Sequence, residues 1–153
     1  MKRLIAVTAA ALIATPAFAE EWSHVSAPMG QKEGGIRLSS EADGDYGINY
    51  SCAFSYSKVS FSVKSMQVAE GESEIRVDGD EVITGNTSYD SAWNETTFLS
   101  AVETEYGDAQ KARHNALIEA LASGRTVSWV TPNGASYDIP LTGSSNIRRC
   151  KMD

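Results

Sequence analysis

The sequence predicts a mainly β fold, either an antiparallel β-sandwich or a curled sheet, with one principal α-helix near residues 108–122 and a short C-terminal helical turn. Three observations predict it. Apolar and polar residues alternate along several short segments, as they do in strands with one buried face. Asp-Gly and Asn-Gly pairs separate two pairs of these segments, as in hairpins. From Asp108 onward the apolar period becomes that of a helix.

The first 19 residues are predicted to be a secretory signal peptide. Two cations, at positions 2 and 3, precede an apolar run from Leu4 to Ala14. Pro16 ends that run, and Ala17-Phe18-Ala19 has the small-x-small pattern that signal peptidase accepts. The run is too short to be a permanent membrane anchor. We therefore expect residues 1–19 to be removed.

Residues 20–153 are expected to form a single β-rich domain in a bacterial periplasmic or secreted location. Removal of Lys2 and Arg3 with the signal peptide changes the net charge from −7 to −9. A domain this acidic is a poor candidate for binding nucleic acid or anionic lipid. No later run approaches the ~20 apolar residues that a membrane span requires.

The two cysteines, Cys52 and Cys150, are expected to form a disulfide, because disulfides persist in the oxidising compartments that exported proteins reach. In the chain-entropy treatment, closing a loop of this length stabilises a fold by about 4 to 5 kcal/mol. Free thiols, a metal pair and a redox couple are the alternatives, although the chain has no Cys-x-x-Cys spacing. Such a bond would fasten the C-terminus to an early strand.

The first half of the domain is predicted to consist of short strands and turns. Between Ser57 and Met66, Val59, Phe61 and Val63 alternate with polar residues, so that strand should have one buried face. The predicted elements before it are a strand around Trp22–Val25, a mobile connection at Ala27–Gly35, a strand at Gly35–Ser40, a turn at Glu41–Gly47 and a strand at Ile48–Phe54.

A hairpin is predicted over Ser73–Gly85, because Asp78-Gly79 can supply the two positive φ angles of a type I′ turn. The segment Trp93–Val102 fits either a further strand or the beginning of a helix. The principal helix follows, with Asp108 as its predicted N-cap and Gly124 as its C′ residue.

After the helix, strands are predicted at Thr126–Val130 and Ser136–Leu141, joined by a turn at Asn133-Gly134. Pro140 cannot donate a ladder hydrogen bond, so the second strand should be an edge strand or end there. Trp129 shares a face with Val127 and is expected in the core.

The last element is predicted to be a helical turn that Ser144 or Ser145 caps. Ile147 and Cys150 should face the core at i,i+3 spacing, while Arg148 and Arg149 should face solvent.

No assembled catalytic or metal-binding set is evident, so we predict no catalytic residue, no metal and no cofactor. His24 and His114 have no zinc-binding spacing, and His114 is expected at the surface or the edge of the core. The Gly-x-Ser-x-Gly elbow of serine hydrolases is absent. Two Asp-Gly-Asp stretches, at 43–45 and 78–80, lack the register of a calcium loop and fit turns. Paired carboxylates for glycoside hydrolysis remain open, because their separation cannot be read from a sequence.

Two tryptophans are the candidate binding residues. Trp22 and Trp93 lie in polar sequence surroundings and are better candidates for exposure than Trp129. Tryptophan is enriched among the residues that dominate protein interfaces.

The C-terminal third resembles the closing module of several bacterial periplasmic families. It contains a helix ending in L-x-x-G, a hairpin, an L-x-G-S break and a late cysteine. In this respect it is similar to the invasion-associated locus B family and to small periplasmic proteins that accompany type VI secretion. The resemblance implies a β-sandwich-like domain and an envelope location, but no site. The matching positions are Leu117, Leu121, Gly124, Val127, Gly134, Leu141, Gly143, Ser144 and Cys150.

These observations favour an exported, non-enzymatic protein of the cell envelope that binds a macromolecular partner. A narrower form is an inhibitor or immunity protein against a basic exported enzyme such as a lysozyme, since an acidic surface would steer that encounter. The alternative is a hydrolase that cleaves cell-wall glycan with paired carboxylates. The oligomeric state is not predicted.

Overall fold

The computed structural model describes residues 21–40, 44–64, 68 and 70–153. The predicted signal peptide lies outside the described residues. The elements in chain order are β1 (Ser23–Ser26), a 3-10 turn (Pro28–Gly30), β2 (Lys32–Ser40), β3 (Gly44–Ala53), β4 (Tyr56–Lys64), β5 (Gly71–Val77), β6 (Asp80–Asp90), β7 (Glu95–Glu103), α1 (Asp108–Ser123), β8 (Thr126–Val130), β9 (Ser136–Pro140) and a 3-10 helix (Ser144–Cys150).

The strands form one antiparallel sheet of nine strands in the order β1-β2-β3-β4-β7-β6-β5-β8-β9. The sheet curls, so that the Tyr46 hydroxyl in β3 donates a hydrogen bond to the Asp138 carbonyl in β9 at 3.4 Å. The predicted fold class is therefore confirmed in its curled-sheet form. No helix in the described part of the chain is long and apolar enough to cross a membrane.

The core lies between the concave face of the sheet and α1. Val59, Phe61 and Val63 are fully buried, which confirms the alternation predicted for β4. The Phe61 ring meets that of Phe98 edge to face at 5.9 Å, a favourable geometry for two aromatic rings. Trp129 is also buried, as predicted, and Leu117, Ile118 and Leu121 of α1 belong to the same cluster.

The prediction of a mobile connection at Ala27–Gly35 is wrong for its last four residues, which form the beginning of β2. Gly35 is opposite Asn49, and a Cβ at Gly35 would lie 2.0 Å from the Ile48 carbonyl oxygen. The glycine therefore permits close strand packing rather than flexibility. The turn predicted at Glu41–Gly47 is wrong from Gly44 onward, where β3 begins. Residues 41–43 lie outside the described part.

Both predicted hairpin turns are confirmed. Asp78 and Gly79 have φ angles of 52° and 94°, the two positive values of a type I′ turn between β5 and β6. In the β8–β9 turn Gly134 has a φ angle of 82°. Pro140 lies on β9, which is an edge strand, as predicted. The segment beginning at Trp93 forms a turn followed by strand β7, not a helix.

Helix α1 covers the predicted residues, but both of its ends differ from prediction. The N-cap is Gly107, whose N–H donates to Oε1 of Gln110 at 3.1 Å. Gly124 is the C-cap with a φ angle of −76°, not a left-handed C′ residue. A Cβ at Gly124 would lie 2.3 Å from Cγ1 of Val77, so glycine is needed here for space.

The C-terminal turn is a 3-10 helix, and the predicted disulfide joins Cys52 in β3 to Cys150 at its end. Ile147 is fully buried while Arg148 is exposed, as predicted. The predicted serine cap is wrong. Ser144 is buried, and its hydroxyl bonds instead to the carbonyls of Leu121 at 2.6 Å and Leu141 at 2.7 Å. Gly143 precedes the helix with a φ angle of 92°, which explains the glycine.

Candidate functional site

The sequence predicts His114 at the surface or the edge of the core, and this prediction is wrong. His114 lies in a buried polar network. Helix α1 directs it towards β4 and β7, where it is only 1% exposed. Its Nε2 is 2.8 Å from the Ser57 hydroxyl, and its Nδ1 is 2.8 Å from the Ser100 hydroxyl. Both ring nitrogens are thus satisfied, which is the condition for burying a histidine.

This network contains the serine and histidine of a serine hydrolase, but the second nitrogen of the histidine has no carboxylate partner. Burial lowers the pKa of His114 to about 4. A general base works best when its pKa lies near the working pH, so this imidazole would be a weak base for Ser57 or Ser100. Its second nitrogen contacts another serine rather than an orienting carboxylate. The network is best explained as a structural link between α1 and the sheet.

Trp22 is buried, so its predicted exposure is wrong. It is 4% exposed, and its Nε1–H donates to the carbonyl of Pro140 at 2.9 Å. Because the sheet curls, the residue just before edge strand β1 reaches edge strand β9. The neighbouring His24 lies 2.6 Å from the Tyr50 hydroxyl and 2.8 Å from the Gly143 carbonyl. Burial raises the pKa of Tyr50, while its hydrogen bond with Arg149 lowers it.

Trp93 is exposed, as predicted, on the turn between β6 and β7. Its side chain is 76% accessible. Three carboxylate residues lie around this turn: Asp90 ends β6, Glu95 begins β7, and Glu70 accepts a hydrogen bond from the Tyr89 N–H at 3.0 Å. We call Trp93 with Glu70, Asp90 and Glu95 the acidic tip.

The acidic tip is held by its own hydrogen bonds. Oδ1 of Asp90 accepts from the Ala92 N–H at 2.8 Å and from the Trp93 N–H at 3.4 Å. The Tyr89 hydroxyl donates to Oδ1 of Asn94 at 2.8 Å. Asn94 has a φ angle of 47°, a conformation that asparagine tolerates well. The tip therefore presents its tryptophan from an ordered turn.

A second exposed apolar surface lies beside the disulfide and was missed by sequence reasoning. Met29 is 100% and Phe54 is 96% exposed, and both line a groove of about 520 Å³. The charged residues that line this groove are Lys32, Arg149, Lys151 and Asp153. We call it the Phe54 groove. Phe54 is predicted to end the strand Ile48–Phe54, but it lies with Ser55 in the two-residue turn between β3 and β4.

The acidic tip and the Phe54 groove lie at opposite ends of the β4–β7 pair. The register runs from Tyr56 opposite Glu103, next to Phe54, to Lys64 opposite Glu95, at the tip. At about 3.3 Å per residue, this separates the two ends by roughly 25 Å. The two surfaces are therefore distinct.

None of the three grooves described has two carboxylate residues in its lining, although Asp90 and Glu95 lie opposite each other in the β6–β7 pair. A groove of about 380 Å³ on the outer face of β1–β4 contains Glu33 as its carboxylate. A groove of about 260 Å³ between α1, β6 and β7 contains no acid, and the Phe54 groove contains Asp153. Within the described residues no group of three His, Cys, Asp or Glu side chains is placed to hold a metal ion.

Of the two Asp-Gly-Asp stretches, 78–80 forms a turn as predicted, and part of 43–45 lies outside the described residues. The Asp78 carboxylate accepts hydrogen bonds at 3.1 Å from the backbone N–H groups of Arg125 and Thr126. It thereby joins the β5–β6 turn to the start of β8.

Comparison with known proteins finds no family model that matches this chain, and no similar curated protein or solved structure. The resemblance of the C-terminal third to periplasmic families therefore stays a prediction.

Proposed function

We propose that this protein is an exported, non-enzymatic protein of the cell envelope that binds a basic protein partner through the acidic tip. The observation that carries the proposal is the exposure of Trp93, at 76%, among Glu70, Asp90 and Glu95. A large exposed aromatic side chain can bury much apolar area on binding, and tryptophan is enriched among interface hot spots.

The charges of the tip favour a basic partner. The chain carries a net charge of −7, and the segments around the turn that carries Trp93 contain three carboxylate residues and one cation, Lys64, opposite Glu95. Such a field increases the rate of encounter with a positively charged protein.

The hydrogen bonds of the turn support the same function. Because Asp90 holds the Ala92 and Trp93 backbone N–H groups, less conformational entropy is lost when the tip binds. An ordered turn projecting from the end of a strand pair can enter a concave surface. The narrower proposal is therefore an inhibitor or immunity protein that enters the cleft of a basic exported enzyme, such as a lysozyme. The Cys52–Cys150 disulfide agrees with an oxidising compartment.

The test begins with capture of partners from periplasmic extract on the oxidised protein. Each recovered protein is identified, purified and titrated against the wild type by calorimetry. We expect a basic protein bound at one-to-one stoichiometry, with roughly tenfold to thirtyfold weaker binding to Trp93→Ala. The matched control is Leu99→Ser, at an exposed apolar position outside the tip, which should bind like the wild type.

Two results would overturn the proposal. One is binding that Trp93→Ala leaves unchanged, because the tip would then not be the interface. The other is turnover of purified peptidoglycan by the protein, abolished by a single Asp or Glu substitution, which would establish the cell-wall hydrolase instead.

A further inference from the structure

The Phe54 groove has no role in the proposed function and combines two unusual features. Met29 and Phe54 are almost completely exposed, although large apolar side chains gain free energy when they leave water. Both line the same groove, whose volume of about 520 Å³ is in the range of known ligand pockets. A concave surface of this size can enclose a side chain that protrudes from another molecule.

Three of the four charged residues that line the groove are cations, Lys32, Arg149 and Lys151, and the fourth is Asp153. Lys151 is paired with Glu119 at 2.7 Å. Lys32 forms no ion pair with a carboxylate in the described part of the chain, and Arg149 bonds to the hydroxyl of Tyr50 and to the carbonyl of Asn146. These two cations are therefore available to an anionic group from outside.

The acidic tip has the complementary properties. It presents one large exposed aromatic side chain on a turn flanked by Glu70, Asp90 and Glu95, with Lys64 opposite Glu95. Insertion of Trp93 beside Phe54 would bury two aromatic rings. It would also bring the carboxylates of the tip towards Lys32 and Arg149.

We propose that the acidic tip of one copy docks into the Phe54 groove of a second copy. The tip and the groove of the same copy are roughly 25 Å apart along β4 and β7, so a molecule cannot fill its own groove. The contact is thus heterologous, and it leaves one free tip and one free groove at the two ends of every assembly. Such contacts build linear chains unless the rotation closes a ring.

Self-association would cover the same tip that the proposed function assigns to the basic partner, and this consequence rests on that proposed function. Storage in assembled form would keep the tip unavailable until dilution or a competing partner released it. The association itself is tested with purified protein alone. Its failure is therefore distinguishable from failure to find a basic partner.

The experiment is analytical ultracentrifugation of the full exported protein with its disulfide intact, from about 10 µM to about 1 mM. We expect the mean mass to rise with concentration. Trp93→Ala and Phe54→Ser should each weaken association roughly tenfold or more. Leu99→Ser, at an exposed apolar position outside both surfaces, is the matched control and should associate like the wild type.

The decisive measurement is an equimolar mixture of the two variants. Trp93→Ala keeps an intact groove and Phe54→Ser keeps an intact tip, so the mixture should form a heterodimer and nothing larger. A mixture that stays monomeric, or a wild type that is monomeric at every concentration, would overturn the proposal. Binding of monomers to phosphatidylglycerol vesicles that is lost in Phe54→Ser and kept in Trp93→Ala would also overturn it, because the groove would then face a membrane.

Discussion

Acidification should destabilise this protein through His114, the histidine enclosed between Ser57 and Ser100. In the folded state burial lowers its pKa from 6.5 to about 4. Between these two values the unfolded chain binds a proton that the folded state does not bind. The free energy of unfolding should therefore fall as the pH drops from about 6.5 to about 4, and this contribution should level off below that.

The magnitude follows from the two pKa values. A difference of one in pKa corresponds to 1.36 kcal/mol, so the change from 6.5 to about 4 corresponds to about 3 kcal/mol of lost stability. That is a large fraction of the roughly 5 to 15 kcal/mol by which domains are stable.

Urea unfolding at a series of pH values from 7.5 to about 4 measures this loss, with His114→Gln as the test variant. A glutamine can still hydrogen-bond both serines but does not titrate in this range. The variant should therefore show a flatter pH profile, whatever its stability at pH 7.5. Equal slopes for the wild type and His114→Gln would refute the reasoning, as would an NMR titration of His114 with a midpoint near 6.5.

The other predictions concern stability and can be measured by denaturant unfolding at neutral pH. Replacing both Cys52 and Cys150 by alanine should lower the free energy of unfolding by about 2 to 5 kcal/mol, and an unchanged midpoint would contradict the proposed constraint on the 98-residue loop. Ile147→Ala leaves a cavity at a fully buried position and should cost about 2 to 5 kcal/mol, whereas a cost under about 1 kcal/mol would show that the site collapses around the cavity. Gly124→Ala should destabilise the fold although alanine favours helices, because its Cβ would lie 2.3 Å from Val77, and a stabilised variant would contradict that packing.

Features of this fold that depend on residues close in sequence could be predicted. The Asp78-Gly79 turn and the alternation of Val59, Phe61 and Val63 are local patterns, and they specify hairpins and a strand with one buried face. The spacing of apolar residues predicts the helix in the same way, but the residues that cap it are not predicted correctly.

Features that depend on contacts between distant residues could not be predicted. Trp22 lies in a polar segment, and only the curl of the sheet brings it to Pro140, 118 positions away. His114 is satisfied by Ser57, 57 positions before it, and a serine gives no sequence signal for such a pairing.

The candidate site shows the same division. Trp93 was identified because a tryptophan among polar residues is a local signal, and it is exposed. Phe54 was missed because an aromatic residue next to a strand is most simply read as part of the core. Met29 and Phe54 become one surface only when the 3-10 turn and the β3–β4 turn come together beside the disulfide.

The hydrogen bonds that Trp22 and Tyr46 donate to the carbonyls of Pro140 and Asp138 have a consequence for solubility. Edge strands offer unpaired carbonyls and N–H groups that recruit strands from other molecules into aggregates. Here two aromatic side chains occupy carbonyls on the rim of β9, and a proline removes a donor from the same strand. Loss of Trp22 would therefore free the Pro140 carbonyl as an acceptor for a strand of another molecule, even where the remaining core keeps the chain folded.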